Sequence, residues 1–530
     1  MKCDSKKIII IGGGVAGLSA GIYGQRAGFD TVIYEKNTVA GGSCSGWFRD
    51  GYAIDNCLHW LTGTAKDTGA YDMWRELGVI NDDTEMFTRD CFWSSETDGV
   101  TVTLWPDSEK TRREMLAISP EDADEINSFI DVVNMAGDLV VGKIKMPGPK
   151  NGLGMENLFL YRDFAKKAMK YLNIRNTAWA DKFKSKAIRN LILDFCPKEY
   201  ESYWLILSYS FFVSGNANLI KGGSIQMAKS LLDTYRSEGG QIVFNAPVKQ
   251  VKIGRERFNV KDIKDSIFQR AKGIVLENGE FITADYIVCA CDINYIFAKL
   301  ITKKFLPQKL REAYRNHASY TFYSAFQVAF SVDGEFEEVP DSLSFDCGQI
   351  EAGYEKYNRI GIKNYRKYGD YIAPKGKTVI QVSLDQYKRD CRFWKKEYER
   401  DIEDYNRSKK NVAEAILHEI EKKFPQYAGK LCILDIWTPY SYERRNNDVH
   451  GAFMRFITTV FSVNAFMSNE VAGLHNVVLA GHYLRYPGGL PTAALTGKEA
   501  IKLIESKEKE PLVLQLLKKN EILVKDEDLK

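Results

Sequence analysis

The N-terminal part of the chain combines an uninterrupted apolar run with a glycine-rich turn. Four isoleucines at residues 8–11 predict a buried strand, because both faces of the run are apolar. The glycine-rich segment 12–17 predicts a tight turn, and residues 18–27 continue at helical spacing. A second apolar run at 31–34 predicts the next strand, which ends at Glu35. This order predicts a βαβ unit and therefore a parallel sheet.

Two later blocks carry similar patterns. An amphipathic helix is predicted at 225–237, and alternating apolar residues between glycines predict short strands at 241–251, 273–276 and 282–288. Near the C-terminus, residues 476–480 predict a buried strand, followed by a Pro-Gly loop at 487–489 and a helix of small residues. We expect these strands to extend the N-terminal sheet.

The remaining apolar runs are too short to cross a membrane. The longest strongly apolar run without a charge, 203–213, is about half of the roughly 20 residues that a spanning helix needs. Runs at 320–330 and 453–466 are similar in character. Most such runs form core, although some of their residues are expected to line an elongated apolar pocket.

Composition narrows the class of protein. The 530 residues carry 73 Lys+Arg and 70 Asp+Glu, a net charge of +3, and 45% are hydrophobic. A balance this close to neutral argues against nucleic acid as a partner. The 10 cysteines lack CxxC spacing, and we expect reduced thiols and no metal site. With no apolar signal segment at the N-terminus, we expect a cytoplasmic protein.

The glycine-rich turn carries the spacing of a dinucleotide site. Gly12 permits the tight turn, Gly14 leaves room for a pyrophosphate, and Gly17 lets the helix pack closely on the strand. The helix N-terminus offers N–H groups to the phosphates, and Glu35 can accept hydrogen bonds from ribose hydroxyls. This turn does not by itself distinguish NAD from FAD.

A second glycine pair distinguishes them. Gly41 and Gly42 follow soon after Glu35, as required of a loop that passes beside the pyrophosphate and flavin of an extended FAD. The segment 41–55 resembles the phytoene desaturase family of FAD-dependent oxidoreductases, within the amine oxidase superfamily. Within that family it is most similar to the carotenoid isomerase and retinol saturase branch. One departure is Cys57, where the family usually has glycine.

The resemblance implies an α/β fold: a Rossmann-like FAD-binding domain assembled from discontinuous segments, with a second α+β substrate domain. The implied FAD-binding segments are residues 1–75, 216–300 and 441–505. The substrate domain would comprise a helical cap part at 76–215 and a sheet and helix at 301–440, and residues 506–530 would form a charged tail. The residues expected to bind FAD are Gly12, Gly14, Ala16, Gly17, Glu35, Lys36, Gly41, Gly42, Ser43, Val248, Gly481, His482, Gly489, Leu490, Pro491 and Ala493.

The resemblance also implies an activity. It points to hydride transfer at flavin N5, in the desaturation, saturation or isomerisation of a long apolar unsaturated substrate such as a carotenoid, retinoid or polyunsaturated lipid. Two alternatives stay open at this point. The chain could be a flavin amine oxidase for a smaller substrate, or a non-catalytic lipid-binding flavoprotein.

Two histidines are candidates for catalysis. His482 stands where the family has an acid, and it either replaces that acid as a hydrogen-bond acceptor or donates a proton near the flavin. His59 follows the segment that runs toward the flavin in the resembled family, and it is either a core histidine or a participant in chemistry.

The stretch 141–189 is strongly basic. It contains 12 Lys/Arg and 3 Asp/Glu, interleaved with aromatic and aliphatic residues. Such a surface either contacts anionic lipid, as interfacial helices do, or is a solvated helical face. The first interpretation predicts a peripheral membrane contact.

Overall fold

The computed structural model describes residues 5–143, 155–172, 174–198, 200–257, 267–316, 319–452, 457–458, 467–485 and 488–509. Parts of four predictions lie outside these residues: residues 144–154 and 173 of the basic stretch 141–189, nearly all of the run at 453–466, Pro487 of the predicted loop, and the tail from 510 onward.

The strands, in chain order, are β1 (Lys7–Ile11), β2 (Asp30–Tyr34), β3 (Gly46–Arg49), β4 (Tyr52–Asp55), β5 (Met86–Phe87), β6 (Trp93–Thr97), β7 (Val100–Leu104), β8 (Leu219–Ile220), β9 (Gln241–Val243), β10 (Val248–Arg257), β11 (Ile267–Leu276), β12 (Phe281–Thr283), β13 (Tyr286–Cys289), β14 (Tyr320–Thr321), β15 (Tyr323–Val332), β16 (Ser342–Ala352), β17 (Glu355–Asn364), β18 (Thr378–Tyr387), β19 (Leu431–Trp437), β20 (Ile457–Thr458), β21 (Glu470–Val471) and β22 (Leu474–Leu479).

The α-helices are α1 (Val15–Arg26), α2 (Gly69–Glu76), α3 (Ser108–Ile118), α4 (Ala123–Val140), α5 (Met155–Ala168), α6 (Asn176–Ala180), α7 (Lys186–Phe195), α8 (Tyr203–Val213), α9 (Gly223–Ser237), α10 (Ile293–Tyr295), α11 (Gln308–Arg315), α12 (Lys388–Arg400), α13 (Ile402–Lys423), α14 (Pro439–Asn446) and α15 (Gly489–Lys509). Among the described residues, none of these helices has both the length and the apolar composition needed to cross a bilayer.

The chain divides into two compact units. Unit 1 comprises Met1–Gly42, Leu231–Pro307 and Ala465–Lys530, and unit 2 comprises Ser43–Ser230 and Gln308–Asn464. Unit 1 is thus assembled from three separated segments. Its bounds differ from the domain bounds expected from the sequence: residues 43–75, 216–230 and 441–464 lie in unit 2, and residues 301–307 lie in unit 1.

Unit 1 is built on a nine-stranded sheet whose main order is β10-β11-β22-β13-β1-β2-β9. β1 lies in the middle and pairs in parallel with both β2 and β13, so that Ile9 lies beside Val32 and Ile287. Ile8, Ile9 and Ile10 are completely buried, which explains the uninterrupted apolar run. The parallel strands and their helices make unit 1 a Rossmann-like α/β structure and confirm the predicted βαβ unit.

Helix α15 packs directly against α1 within this unit. A Cβ on Gly497 would lie 2.5 Å from the Ala16 carbonyl oxygen, and the Ser19 hydroxyl donates to the Ala494 carbonyl at 2.7 Å. Helix α15 is therefore held on α1, at the end where the β1–α1 turn lies.

Unit 2 contains a seven-stranded sheet of order β19-β15-β18-β17-β16-β6-β7. Residues of this sheet and of α12 and α13 form one apolar core, and α3, α4 and α6–α8 surround a second one. Two of the apolar runs belong to these cores: 203–213 forms α8, and 320–330 forms most of β14 and β15, whose residues Ser324–Val332 are buried. Those runs are therefore mainly core.

Candidate FAD-binding site and a basic cluster

The turn between β1 and α1 depends on two glycines for its own packing. Gly12 has φ +106°, and a Cβ there would lie 2.8 Å from the Ala290 carbonyl oxygen. A Cβ on Gly17 would lie only 1.9 Å from the carbonyl oxygen of Gly12. Gly12 thus permits the turn, and Gly17 permits the close approach of α1 to β1, as the spacing predicts.

Gly14 is different, because nothing in the protein requires a glycine there. Its φ of −75° and ψ of −179° are extended backbone that any residue adopts. A Cβ would meet nothing closer than 3.8 Å, at the Gly41 carbonyl oxygen and Gly42 Cα. The missing side chain leaves a space lined by backbone, which fits the close approach of a pyrophosphate.

The start of α1 faces this space with backbone donors. The Leu18 N–H makes the first bond of the helix, to the Gly14 carbonyl at 2.9 Å. The N–H groups of residues 15–17 precede that bond and therefore have no acceptor within the helix. Together with the helix dipole they give the turn a partial positive charge that favours an anion.

The side chain of Glu35 forms hydrogen bonds with the β1–α1 turn and with Asn37. Its carboxylate is buried and accepts hydrogen bonds from the Gly13 N–H at 2.7 Å and from both the backbone and side-chain N–H groups of Asn37 at 2.8 Å. A carboxylate can accept about four hydrogen bonds, so capacity is left for a ribose hydroxyl. Asn37 was not recognised from the sequence, since a single amide in a loop gives no pattern.

The second glycine pair lies against the first turn. The Gly41 N–H donates to the Gly13 carbonyl at 2.8 Å, and a Cβ on Gly42, whose φ is +60°, would lie 3.2 Å from Gly14 Cα. Both glycine segments therefore border the same space. Ser43 begins unit 2, where its hydroxyl accepts a hydrogen bond from the Asn446 side chain at 3.0 Å.

The closing segment of unit 1 brings Gly481 and His482 to the start of α15. The Gly481 N–H donates to the Thr496 hydroxyl at 2.9 Å, and a Cβ on Gly481 would lie 2.3 Å from the Tyr483 ring. His482 is half-buried, and its Nδ1 lies 3.3 Å from the position that a Cβ of Gly488 would occupy. Helix α15 begins at Gly489, so Leu490, Pro491 and Ala493 lie in its first turn.

Val248, also in unit 1, belongs neither to the two glycine segments nor to the segment before α15. It is the buried first residue of β10 and pairs with Leu276 of β11. Lys36 is half-buried directly after Glu35.

The model of the family of flavin-containing amine oxidoreductases matches residues 15–502. The chain belongs to this family. It is 22% identical to the 4,4'-diaponeurosporene oxygenase of Staphylococcus aureus (strain MW2) over 534 aligned residues, which cover 95% of this chain and 99% of that protein.

Solved structures support the same fold. A variant of putrescine oxidase superposes with a TM-score of 0.58 at 14% identity, over 95% of this chain and 99% of that one. A reduced UDP-galactopyranose mutase superposes with a TM-score of 0.54 at 13% identity, over 96% of this chain and 95% of that one. The protein is an FAD-dependent oxidoreductase, and its fold class and cofactor are those that the sequence predicts.

In unit 2 of this flavin-containing amine oxidoreductase, Asp55 organises the loop that carries His59. Its carboxylate accepts from the N–H groups of Cys57 at 3.0 Å and Leu58 at 2.9 Å, and from the Ser224 N–H at 2.8 Å and hydroxyl at 2.6 Å. A Cβ on Gly223 would lie 2.1 Å from the same carboxylate. Cys57, at the family's glycine position, is accommodated in this arrangement without positive φ.

His59 is adjacent to a second basic side chain that the sequence did not single out. Its Nδ1 lies 3.4 Å from Lys363 Nζ, which also donates to the Leu58 carbonyl at 3.0 Å. Desolvation and the charges of Lys363 and Arg89 hold the pKa of His59 well below its ordinary value. His59 itself is exposed to solvent.

Arg89 is the third member of this group. It is 6% exposed, and its guanidinium carbon lies 5.8 Å from the Trp60 ring centroid and 5.3 Å from those of Phe92 and Phe212. Desolvation lowers its pKa, and desolvation also lowers the pKa of Lys363 to about 7, against the opposing charge of Asp55. We call His59, Arg89 and Lys363 the basic cluster.

No sequence signal pointed to Arg89 or Lys363. Arg89 stands in a polar Thr-Arg-Asp stretch that is typical of a solvated turn, and Lys363 alternates with Ile360 and Ile362 like a solvent-facing strand residue.

Proposed function

We propose that this FAD-dependent oxidoreductase acts on a long apolar unsaturated substrate, by desaturation, saturation or isomerisation. The observation that carries the proposal is the full-length similarity to 4,4'-diaponeurosporene oxygenase, a carotenoid-related enzyme. The half-buried Trp60 supports the proposal, because its ring stacks on that of Phe195, with 6.5 Å between the ring centroids. The centroid of the His59 ring lies 6.4 Å from that of Trp60. Apolar ligands are typically bound by such aromatic walls with a few polar groups.

In this proposal the two glycine segments and α1 bind the FAD pyrophosphate, and Glu35 binds the adenosine ribose. The backbone near Val248 and the first turn of α15 complete the cofactor site. FAD supplies the hydride chemistry when it is bound. The chain contributes orientation, exclusion of water and proton exchange, for which His59 and His482 are the candidates.

Anaerobic titration of the yellow protein tests the substrate class. We expect carotenoids, retinoids or polyunsaturated lipids to change the flavin spectrum, and mass spectrometry to find such lipids in the purified protein. Bleaching by putrescine but by no polyene would instead show an amine oxidase. A His482→Ala variant that retains both FAD and full turnover would contradict a role for His482 in proton transfer.

We also propose that the helix α5 region contacts an anionic membrane surface. Phe159, Leu160, Met169 and Leu172 are 62%, 43%, 70% and 43% exposed, and Arg162, Lys166 and Lys170 are exposed beside them. Exposed apolar side chains among cations are typical of interfacial helices.

Liposome sedimentation tests this contact. The wild type should bind vesicles that contain phosphatidylserine at low salt and dissociate at high salt, and the double variant Phe159→Ser, Met169→Ser should bind at least tenfold more weakly. Phe281→Ser is the matched control, since Phe281 is 49% exposed but lies on β12 of unit 1. Absence of binding to anionic vesicles at low salt would contradict the proposal.

A further inference from the structure

Arg89 has hydrogen-bonding capacity that the protein does not use. Its Nη1 donates to the Phe92 carbonyl at 3.3 Å. Its Nε and Nη2 are buried and have no acceptor among the residues that the structure describes. Buried polar groups normally have partners, and an arginine remains charged even where burial lowers its pKa. Such a side chain indicates a partner outside the described chain.

Lys363, on β17, also has a hydrogen-bond donor that the described residues do not use. An ammonium has three N–H donors, and the described contacts use two of them, at the Leu58 carbonyl and beside His59 Nδ1. Its charge also lies 4.5 Å from the centroid of the Tyr365 ring. The nearby cations Arg366 and Lys367, by contrast, both form ion pairs with Asp90.

Neither of the two acids near the basic cluster, Asp55 and Asp341, forms an ion pair with it in the described part of the chain. Asp55 accepts four hydrogen bonds from the Ser224 and Leu58 region, which is the full capacity of a carboxylate. Asp341 Oδ2 accepts from the Asp90 N–H at 2.5 Å and lies 4.0 Å from Lys367 Nζ, whereas its Oδ1 is buried without a hydrogen-bond donor among the described residues. The Asp341 charge partly offsets the lowering of the Arg89 pKa without a hydrogen bond between the two side chains. The buried Arg89 and the half-buried Lys363 therefore lack a directly bonded anion in the described part of the chain, and burying a charge without one is costly.

We propose that the basic cluster binds the carboxylate end of a long apolar substrate, with the unused donors of Arg89 and Lys363 contacting the carboxylate and His59 beside them. This inference rests on the function proposed above and specifies its substrate class. The aromatic rings of Trp60 and Phe195 would contact the apolar chain next to the carboxylate. A pure hydrocarbon would leave the buried donors without an acceptor, whereas a carboxylate accepts from several of them.

Binding of three retinoids to the full-length, FAD-loaded protein tests the inference. Retinoic acid, methyl retinoate and retinol share the polyene and differ at the end group, and binding is followed by quenching of tryptophan fluorescence. We expect the acid to bind at least tenfold more tightly than the ester. Equal affinity of acid and ester would overturn this inference alone, whereas no binding of any retinoid or of a hydrocarbon carotenoid would overturn the proposed function with it.

Substitutions test which residues cause the preference for the acid over the ester. Lys363→Met should abolish the preference for the acid and leave ester binding and FAD content unchanged. Lys356→Met is the matched control on the same strand, because Lys356 is exposed and pairs with Glu351 at 2.8 Å. Arg89→Gln should also reduce the preference. A preference that persists undiminished in both the Lys363 and Arg89 variants would contradict the assignment.

Discussion

The β1–α1 turn of unit 1 and the basic cluster of unit 2 are two sites of opposite construction. The turn is built from backbone within residues 12–17, and its properties follow from the absence of side chains. The basic cluster is built from the side chains of His59, Arg89 and Lys363, which lie far apart in the chain. The turn is therefore sensitive to added atoms, and the cluster is sensitive to lost or neutralised ones. Four substitutions test this difference.

Gly17→Ala should have the largest effect. Its Cβ would lie 1.9 Å from the Gly12 carbonyl oxygen, so α1 must move away from β1. Because backbone rather than a flexible side chain is in the way, we expect a loss of about 3 kcal/mol or more, with little folded, yellow protein recovered. Thermal unfolding and the yield of soluble protein measure it. A variant with wild-type Tm would show that the close packing is not required.

Asp55→Asn should have the next largest effect, in unit 2. An amide has a single acceptor oxygen and two donors, so it cannot replace a carboxylate that accepts four hydrogen bonds. We expect a loss of about 2–3 kcal/mol in the free energy of unfolding, measured with urea. Asp370→Asn is the control, because Asp370 is exposed. Similar losses of unfolding free energy in both variants would show that the four hydrogen bonds of Asp55 do not stabilise the fold.

Gly14→Ala should separate cofactor binding from folding. Its Cβ would lie at ordinary contact distance, 3.8 Å from the nearest protein atoms, so we expect a Tm of the cofactor-free protein close to that of the wild type. The methyl group would occupy the space assigned to the pyrophosphate, and FAD affinity should fall at least tenfold. Fluorescence titration of cofactor-free protein with FAD measures it. Unchanged affinity would place the pyrophosphate elsewhere.

The contrast between the two sites also explains what the sequence could predict. The βαβ unit, the packing roles of Gly12 and Gly17 and the FAD cofactor were predictable because each depends on neighbouring residues with a fixed spacing. Asn37 and Ser224 were missed because their partners are set by loop geometry. Arg89 and Lys363 were missed because only the tertiary fold buries Arg89 and half-buries Lys363, and in the sequence both look like ordinary surface cations.

The smallest expected effect is a change in the pH dependence of stability caused by Lys363, because this side chain is only half-buried and solvent screens much of its titration. Desolvation lowers the pKa of Lys363 to about 7 in the folded protein, whereas an unfolded lysine has a pKa of about 10.4. Between these values the unfolded chain binds the proton and the folded chain does not, so this residue makes stability rise from about pH 7 to about pH 10.4. Below pH 7 both forms are protonated, and the contribution no longer changes.

Lys363→Met removes this titration. The increase in urea midpoint of the cofactor-free protein between pH 7 and pH 9.5 should therefore be smaller in Lys363→Met than in the wild type, whereas Lys356→Met should behave as the wild type does. Equal pH dependence in the Lys363 variant and the wild type would show that the Lys363 ammonium is well solvated. The basic cluster would then resemble an ordinary surface, and its contrast with the β1–α1 turn would be lost.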